Sequence, residues 1–152
     1  MNAEHINPFI QGAQRVIDTI CGERPNLGKV FIKNPPYKPQ TIGVEVAIIG
    51  AITGSVVFIM EIDTGCYLAS KMMMGAPVPE LDPMSQSALC ELANMISGNV
   101  ATVFSEKGIL TDITPPKFFN NSYPPLPTTV VCVPLLLQTG NIFEVDVCLQ
   151  LT

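Results

Sequence analysis

The sequence contains no tryptophan, a single histidine and few charged side chains. Charged residues make up 14% of its 152 residues, against roughly 25% in an average soluble domain. Apolar residues make up 47%, which excludes intrinsic disorder for the chain as a whole. Eight Lys and Arg face thirteen Asp and Glu, so there is no basic field and we expect no nucleic-acid partner. The length predicts one domain over residues 1–152.

Common metal and nucleophile motifs are also missing. The five cysteines are Cys21, Cys66, Cys90, Cys132 and Cys148, and no two of them have C-x-x-C spacing. With His5 as the one histidine, we predict no metal site, no disulfide framework and no Ser-His-Asp or Cys-His arrangement. We interpret the cysteines as small, buried apolar side chains of a protein from a reducing compartment.

No segment is predicted to enter a membrane. The longest apolar stretch, Val46–Met60, has 15 residues, whereas a membrane helix needs about 20. The N-terminus lacks the basic region and apolar run of a signal peptide. By elimination we expect a cytoplasmic, soluble protein with no membrane partner.

The periodicity of apolar residues predicts a helix, two strands, two helices and then about three strands. The first predicted helix covers Ile6–Ile20, with Gly22 as its C-cap glycine, and Pro8 implies that its start is kinked or lies at Asn7. The other predicted helices cover Thr64–Met74 (capped by Asp63 or Thr64 and stopped by Gly75) and Pro83 to about Ser105 (closed by Gly108). The predicted strands form a hairpin over Thr41–Asp63, with Gly50 and Gly54 around its turn, and cover Ile109–Ile113, Val130–Leu137 and Phe143–Leu149. Pro-rich segments Glu23–Gln40 and Lys117–Pro127 are predicted as loops.

The last strand indicates the type of sheet. Apolar and polar residues alternate from Phe143 to Leu149, which predicts one wet face and favours an antiparallel sheet. Pro134 cannot donate a ladder hydrogen bond, so its strand is expected at an edge or at a bulge. We therefore predict an α+β fold with helices packed on one face of an antiparallel sheet.

The long helix carries the most informative surface. Asp82 as N-cap and Pro83 in the first turn mark its start. At about 100° per residue, one face collects Leu89, Leu92, Ile96, Val100 and Val103, and the opposite face collects Ser87, Glu91, Asn94 and Gly98. Asn and Gly inside a helix each cost about 0.6 to 1 kcal/mol relative to Ala. The spacing alone leaves open a solvated face with a Glu–Asn pair or a functional face.

Two stretches of sequence, one around this pair and one after the helix, favour the functional face. The stretch Glu91–Asn99, ELANMISGN, is followed by Thr111–Pro116, TDITPP, and together they resemble the CheX family of chemotaxis phosphatases. That family belongs to a wider group with CheC and the flagellar-switch phosphatase FliY. The start of the chain, Ile52–Val56 and the helix end Met72–Gly75 fit the same template. The resemblance implies a CheX/CheC-like fold with one long E-x-x-N helix.

The resemblance also implies a function in two-component chemotaxis signalling. CheX-like proteins hydrolyse the aspartyl phosphate of phosphorylated CheY, a response regulator. By motif match, Glu91 would pair with the invariant lysine of the regulator and Asn94 would hold the attacking water. Ser87 and Gly98, which flank the pair, would allow close docking. The chain would need no cofactor of its own, since the bound regulator would supply Mg²⁺.

The family resemblance further implies a homodimer that joins edge strands, for which the C-terminal strands are candidates, although a monomer with protected edges is the alternative. A non-catalytic module of the same fold, docking a response regulator or flagellar-switch component, is the alternative to the enzyme. Glu23-Arg24-Pro25-Asn26 also matches the E-x-x-N pattern. Pro25 and the predicted loop argue against a helical face there, so we interpret this match as a coincidence. Tyr37 and Tyr123, in Pro-rich loops, either contribute to docking or pack locally.

Overall fold

Helices cover one face of an antiparallel sheet. A computed structural model describes residues 3 to 151, and within them lie three helices and eight strands. The helices are α1 (Ala3–Cys21), α2 (Ile62–Met72) and α3 (Pro83–Glu106). The strands are β1 (Asn26–Leu27), β2 (Phe31–Lys33), β3 (Gln40–Gly50), β4 (Ile52–Met60), β5 (Thr111–Ile113), β6 (Lys117–Ser122), β7 (Val130–Leu136) and β8 (Ile142–Leu151). The predicted α+β class is confirmed; the first two residues and the last one of the predicted domain lie outside the described range.

The strand order places the chain's C-terminal strands inside the sheet. The order is β1-β7-β8-β4-β3-β5, with β2 also paired to β7 and β6 also paired to β3. One edge is therefore formed by β1 and β2 and the other by β5 and β6. The expectation that the C-terminal strands form an edge was wrong, because two short strands of the predicted Glu23–Gln40 loop cover the outer side of β7.

The main core lies between the helices and the sheet. Phe58 and Phe143 stack on neighbouring strands with ring centroids 5.7 Å apart. Phe104 of α3 meets Phe9 of α1 edge-on at 6.1 Å. Gly12 allows α1 to lie close to α3, because a Cβ at that position would be 3.2 Å from the Asn99 Oδ1 atom. These contacts hold α1 and α3 side by side on the sheet.

The boundaries of α3 agree with the prediction, and those of α1 do so at its C-terminal end. The Asp82 carboxylate accepts a hydrogen bond from the Ser85 backbone N–H at 2.8 Å, which lowers the pKa of Asp82. Gly108 and Gly22, with φ of 79° and 73°, follow the ends of α3 and α1. However, α1 already begins at Ala3 and contains Pro8. Within residues 3 to 151, none of the helices is long and apolar enough to cross a membrane.

Helix α2 lies two residues earlier than predicted. Glu61 occupies the N-cap position without a side-chain cap, whereas Asp63 and Thr64 are helical. Thr64 is fully buried, so its side chain packs inward instead of capping. At the other end Met74 and Gly75 have φ of 58° and 87°, and the Gly75 N–H donates to the Ser70 carbonyl at 2.7 Å.

The segment Lys117–Ser122 was predicted as loop but forms strand β6. It pairs with β3 from Glu45–Lys117 to Gln40–Ser122. Asn120 and Asn121 lower its strand propensity, which explains the error. Phe118 packs on the main core and Phe119 on the opposite side of the sheet, as alternation along a strand requires.

The alternation of apolar and polar residues in β8 had predicted that the sheet face opposite the helices is exposed to water. That prediction was wrong, because this face is buried. Asp146 and Cys148 are 0% and 2% exposed. A second, smaller core covers this face and includes Val57, Leu126 and Cys132. The two Pro-rich loops form its outer layer, with Tyr37 and Tyr123 stacked at 5.0 Å. These tyrosines therefore pack locally, and the burial of alternating polar residues came from loops far away in sequence.

Pro134 lies in β7 without a bulge. It stands opposite Glu144 of β8, and its carbonyl accepts from the Gly28 N–H at 2.9 Å on the outer side of β7. Since the amide and carbonyl of one strand residue point to the same side, the missing N–H costs no bond to β8. The predicted edge position is wrong, because β7 has strand neighbours along both of its edges. On its outer edge, β2 pairs with the residues before Pro134 and β1 with the residues after it.

Candidate functional site

Helix α3 turns its apolar side to the sheet and its Glu–Asn pair outward. Leu92 and Ile96 are 1% and 0% exposed, as predicted. Phe104, and not Val103, continues the buried stripe. Glu91 is exposed and Asn94 is half-buried. Residues three apart on a helix are surface neighbours, so the carboxylate and the amide lie side by side.

The pair lines an open groove of about 760 Å³ between α3 and the stretch of chain that connects the end of β5 to the start of β6. Its α3 wall consists of Pro83, Gln86, Ser87, Cys90, Glu91 and Asn94. Its other wall consists of Ile113, Pro115, Pro116 and Phe118. The groove therefore combines a carboxylate, amides and a hydroxyl with an apolar, proline-rich wall.

Backbone and side-chain bonds to β3 fix the second wall. The Thr114 N–H donates to the Ala47 carbonyl at 3.0 Å, and the Ala47 N–H donates to the Thr114 hydroxyl oxygen at 3.0 Å. Pro115 and Pro116 follow directly, and their rings restrict φ. The wall opposite Glu91 and Asn94 is thus held in one place by the sheet.

Of the two small residues that flank the pair, Ser87 lies in the groove and Gly98 lies outside it. Ser87 is exposed and lines the groove beside Glu91. Gly98 lies one turn beyond Asn94 and is not among the groove-lining residues. A Cβ at Gly98 would meet no atom within 4 Å, so packing within the chain does not require a glycine there.

The Glu91 and Asn94 side chains are not used by the fold. Within residues 3 to 151, neither side chain has a hydrogen-bond or ion-pair partner. Their donor and acceptor atoms are consequently free to engage a molecule in the groove. An Asn amide can accept a hydrogen bond from water and donate one to an anionic oxygen at the same time.

Several groove residues were missed as site residues by sequence reasoning. Gln86 and Cys90 lie on α3 near Ser87 and Asn94, and burial raises the pKa of the Cys90 thiol. Pro115 and Pro116 had been interpreted only as the end of a strand. Their presence in TDITPP, one of the two stretches on which the resemblance to the CheX family rests, was a usable signal. Phe118 had no such signal because β6 was not predicted.

The donor set of the groove does not fit a resident metal ion. Glu91 is the one anionic side chain among the lining residues. Divalent cations bound by protein alone usually take several oxygen ligands. Within the described residues, Cys132, Glu144 and Asp146 do lie close together, but on the opposite side of the sheet.

The fold and the groove define a class of protein. A CheC-like superfamily protein from Shewanella sp. PV-4 has the same fold, with a TM-score of 0.83, 21% identity and 99% of each chain covered. The structure of the CheX-CheY-BeF₃-Mg²⁺ complex from Borrelia burgdorferi matches with a TM-score of 0.83 and 28% identity, covering 96% of this chain and 97% of that one. The class is that of CheC-like and CheX domains.

Sequence comparison narrows the class to one family. Residues 42–135 match the family model described as "Chemotaxis phosphatase CheX". A CheY-P phosphatase CheX of Thermotoga maritima is 31% identical over 116 residues, which cover 76% of this chain and 75% of that protein. The chain belongs to the CheX family of chemotaxis phosphatases, which confirms both the resemblance and the expected enzyme class.

Gly98 gives a test of the described helix surface. Gly98→Ala should raise the free energy of unfolding by about 0.5 to 1 kcal/mol, because Ala is the better helix former and its Cβ enters open space. Gly12→Ala is the matched control and should gain less, since its Cβ must press on Asn99 and Val100 at 3.2 and 3.3 Å. Urea unfolding measures both. An equal gain at Gly12, or a loss at Gly98, would contradict this description.

Proposed function

We propose that this chain hydrolyses the aspartyl phosphate of a phosphorylated CheY-type response regulator at the α3 groove. The observation that carries the proposal is the Glu91–Asn94 pair, exposed to the groove and unpartnered within the described chain. The relative of this chain in Thermotoga maritima is a CheY-P phosphatase, and the structurally similar CheX of Borrelia burgdorferi forms a complex with CheY. The reaction transfers a phosphoryl group to water, breaking the bond to the aspartyl oxygen and releasing the carboxylate and phosphate.

Asn94 orients the attacking water in this proposal. Near neutral pH an amide is neither an acid nor a base, so Asn94 cannot abstract a proton. Its oxygen accepts a hydrogen bond from the water while its NH₂ donates to a phosphoryl oxygen. In a loose phosphoryl-transfer transition state, alignment of the nucleophile and electrostatic stabilisation supply most of the catalysis. A water-orienting residue is therefore sufficient, and no nucleophile of the chain's own is needed.

Glu91 anchors the regulator. Its carboxylate is exposed beside Asn94 and would form an ion pair with the lysine of the regulator's active site. That pair would be enclosed between two proteins, where charge pairs gain strength from partial desolvation. Docking by Glu91 would place Asn94 at the phosphoryl group, three residues further along the same rigid helix.

The groove walls provide the remaining contact surface. Ser87 is small and exposed, so a partner can approach the helix closely beside Glu91. Gly98 extends the low-profile face beyond the groove. Pro115 and Pro116 form a rigid apolar wall that loses little conformational entropy on docking.

Mg²⁺ enters this reaction with the regulator. The Borrelia burgdorferi complex contains CheX, CheY, BeF₃ and Mg²⁺. The groove of this chain offers one carboxylate, so its residues do not form a separate magnesium site. The ion would balance negative charge on the phosphoryl group while Asn94 positions the water.

Loss of the Asn94 amide is the primary test. Asn94→Ala should reduce accelerated phosphate release from a phosphorylated CheY-type regulator by about 100-fold or more, because the water loses its alignment. Asn7→Ala, an exposed Asn in α1, is the matched control and should keep the wild-type rate. Phosphate release is followed with Mg²⁺ present. Unchanged release by Asn94→Ala would remove Asn94 from the mechanism, and binding without acceleration by wild type would leave only the docking module.

Charge reversal at Glu91 tests docking separately from chemistry. Glu91→Lys should raise the Kd for a beryllofluoride-bound regulator by about 10-fold or more, since two positive charges would then meet. Glu106→Lys changes an exposed glutamate at the far end of the same helix and should bind normally. Calorimetric titration measures each Kd. Equal affinity of Glu91→Lys and wild type would exclude the ion pair.

We also propose that two copies of the chain associate through the β1–β2 edge. Phe31 and Ile32 of β2 are 40% and 59% exposed, and Leu27 of β1 is 48% exposed. Exposed apolar residues on an unpaired edge favour strand addition by a partner. This edge replaces the C-terminal strands that the sequence had suggested.

A single lysine on that edge should separate the copies. Ile32→Lys is expected to convert the dimer to a monomer in analytical ultracentrifugation, because a charge at a buried apolar interface is unfavourable. Ile49→Lys, at a residue 48% exposed near the other edge, is the matched control and should remain dimeric. A monomeric wild type, or dissociation caused by Ile49→Lys instead, would contradict the β1–β2 interface.

A further inference from the structure

A partly buried charged cluster, with Asp146 as its fully buried member, lies on the sheet face opposite the groove. Lys33 of β2 places its Nζ atom 2.7 Å from the Glu144 Oε2 atom and 3.0 Å from the Asp146 Oδ2 atom. The Tyr123 hydroxyl, from the loop after β6, donates to the same Asp146 oxygen at 2.8 Å. The cluster thus connects β2, β8 and the loop of residues 123–128.

The charges of this cluster do not balance. Two carboxylates face one ammonium group, which leaves one negative charge when both acids are ionised. Asp146 is fully buried, and its Oδ1 atom has no hydrogen-bond partner within the described residues. A buried, uncompensated charge is costly, so the cluster should acquire a further positive charge from solution.

The surroundings of Glu144 identify where that charge is taken up. Its neighbours are Lys33 from β2, Asp146 on its own strand, Cys132 from β7 and Tyr123 from the covering loop. Across on β4 stands the apolar Ile59, and Glu61, two residues further along the chain, lines the same surface depression as Glu144. Burial and the nearby Asp146 raise the pKa of Glu144 to about 7, against the opposing effect of Lys33. Burial also raises the pKa values of Cys132 and Tyr123, so both stay protonated near neutrality.

We propose that the folded chain holds one proton between Glu144 and Asp146 up to neutral pH, and that this proton fastens β2 and residues 123–128 onto the sheet. With the proton bound, Lys33 and the remaining carboxylate form a neutral pair. Loss of the proton leaves a negative charge beneath β2 and the loop, and weakens their attachment. The cluster lies across the sheet from α3, so the device does not rest on the proposed phosphatase mechanism.

The sign of the pH dependence follows from the direction of the shift. The pKa of Glu144 is raised in the folded state, from 4.5 to about 7. Its contribution to stability is therefore fully present below pH 4.5, declines as the pH rises and is lost above pH 7.

The neutral mimic Glu144→Gln tests the device through stability. Between pH 5 and pH 8, the folding equilibrium constant of the wild type should fall by about tenfold or more relative to that of Glu144→Gln. Glu80→Gln, at an exposed site, is the matched control and should follow the wild-type profile. Urea unfolding across this pH range measures the three constants. Parallel profiles for wild type and Glu144→Gln would overturn the proposal.

A spectroscopic titration observes the proton directly. The carboxyl ¹³C resonance of Glu144 should titrate near neutrality in the wild type and at a lower pH in Asp146→Asn, where the second negative charge is gone. A midpoint between pH 4 and 5 in the wild type would overturn the shared proton, whatever the stability of the variants.

A divalent cation is the other species that could supply the charge. Ligand atoms of Cys132, Glu144 and Asp146 all lie within 4.8 Å of one another. The Lys33 ammonium already bridges the two carboxylates, which favours the proton. Calorimetric titration with Zn²⁺ at pH 8 should therefore show no binding that depends on Cys132. Binding that is lost in Cys132→Ala would replace the proton device with a metal site.

Discussion

The burial of one side of α3 against the sheet is the constraint on which the site depends. Each large apolar side chain buried there contributes about 1.5 to 3 kcal/mol, and Leu92 and Ile96 are almost completely covered. Rotation of the helix would expose them and bury the Glu91 charge, which is unfavourable on both counts. The helical period then leaves one orientation for Glu91 and Asn94, facing out beside each other.

The sheet also positions what faces the pair. Thr114 is bonded to Ala47 of β3 through both backbone and side chain, so the prolines that follow stand at a fixed distance from α3. A site that aligns a water molecule needs such preorganisation more than it needs reactive groups. This explains how a phosphatase of the CheX family can have a single histidine in its sequence and a single acid in its groove. The opposite face of the sheet carries the charged cluster around Lys33, which separates catalysis from the proposed proton-dependent attachment of β2.

Local features of the sequence were sufficient for α3 and for the relation between its side chains. Asp82 and Pro83 fixed the start of the helix, and the spacing of Glu91 and Asn94 placed them on one face. Non-local features were not predictable in this way. The second groove wall depends on the pairing of β6 with β3. Strand β6 was not predicted because its Asn residues have low strand propensity. Asp146 was predicted to face solvent because polar and apolar residues alternate along β8. It is buried because loops distant in sequence cover that face of the sheet. The position of β7 inside the sheet likewise depended on two short strands, β1 and β2, with weak local signals.

A structure of this chain bound to a CheY-type regulator carrying beryllofluoride and Mg²⁺ would test the central claim most directly. Beryllofluoride mimics the phosphoryl group, so the position of the Asn94 amide relative to it reports the proposed water-orienting role. We predict that α3 enters the regulator's active site, with Asn94 within reach of a water in line with the aspartyl–beryllium bond and Glu91 paired with a lysine. A complex in which the regulator contacts another surface, or in which Asn94 points away from the beryllofluoride, would contradict the mechanism.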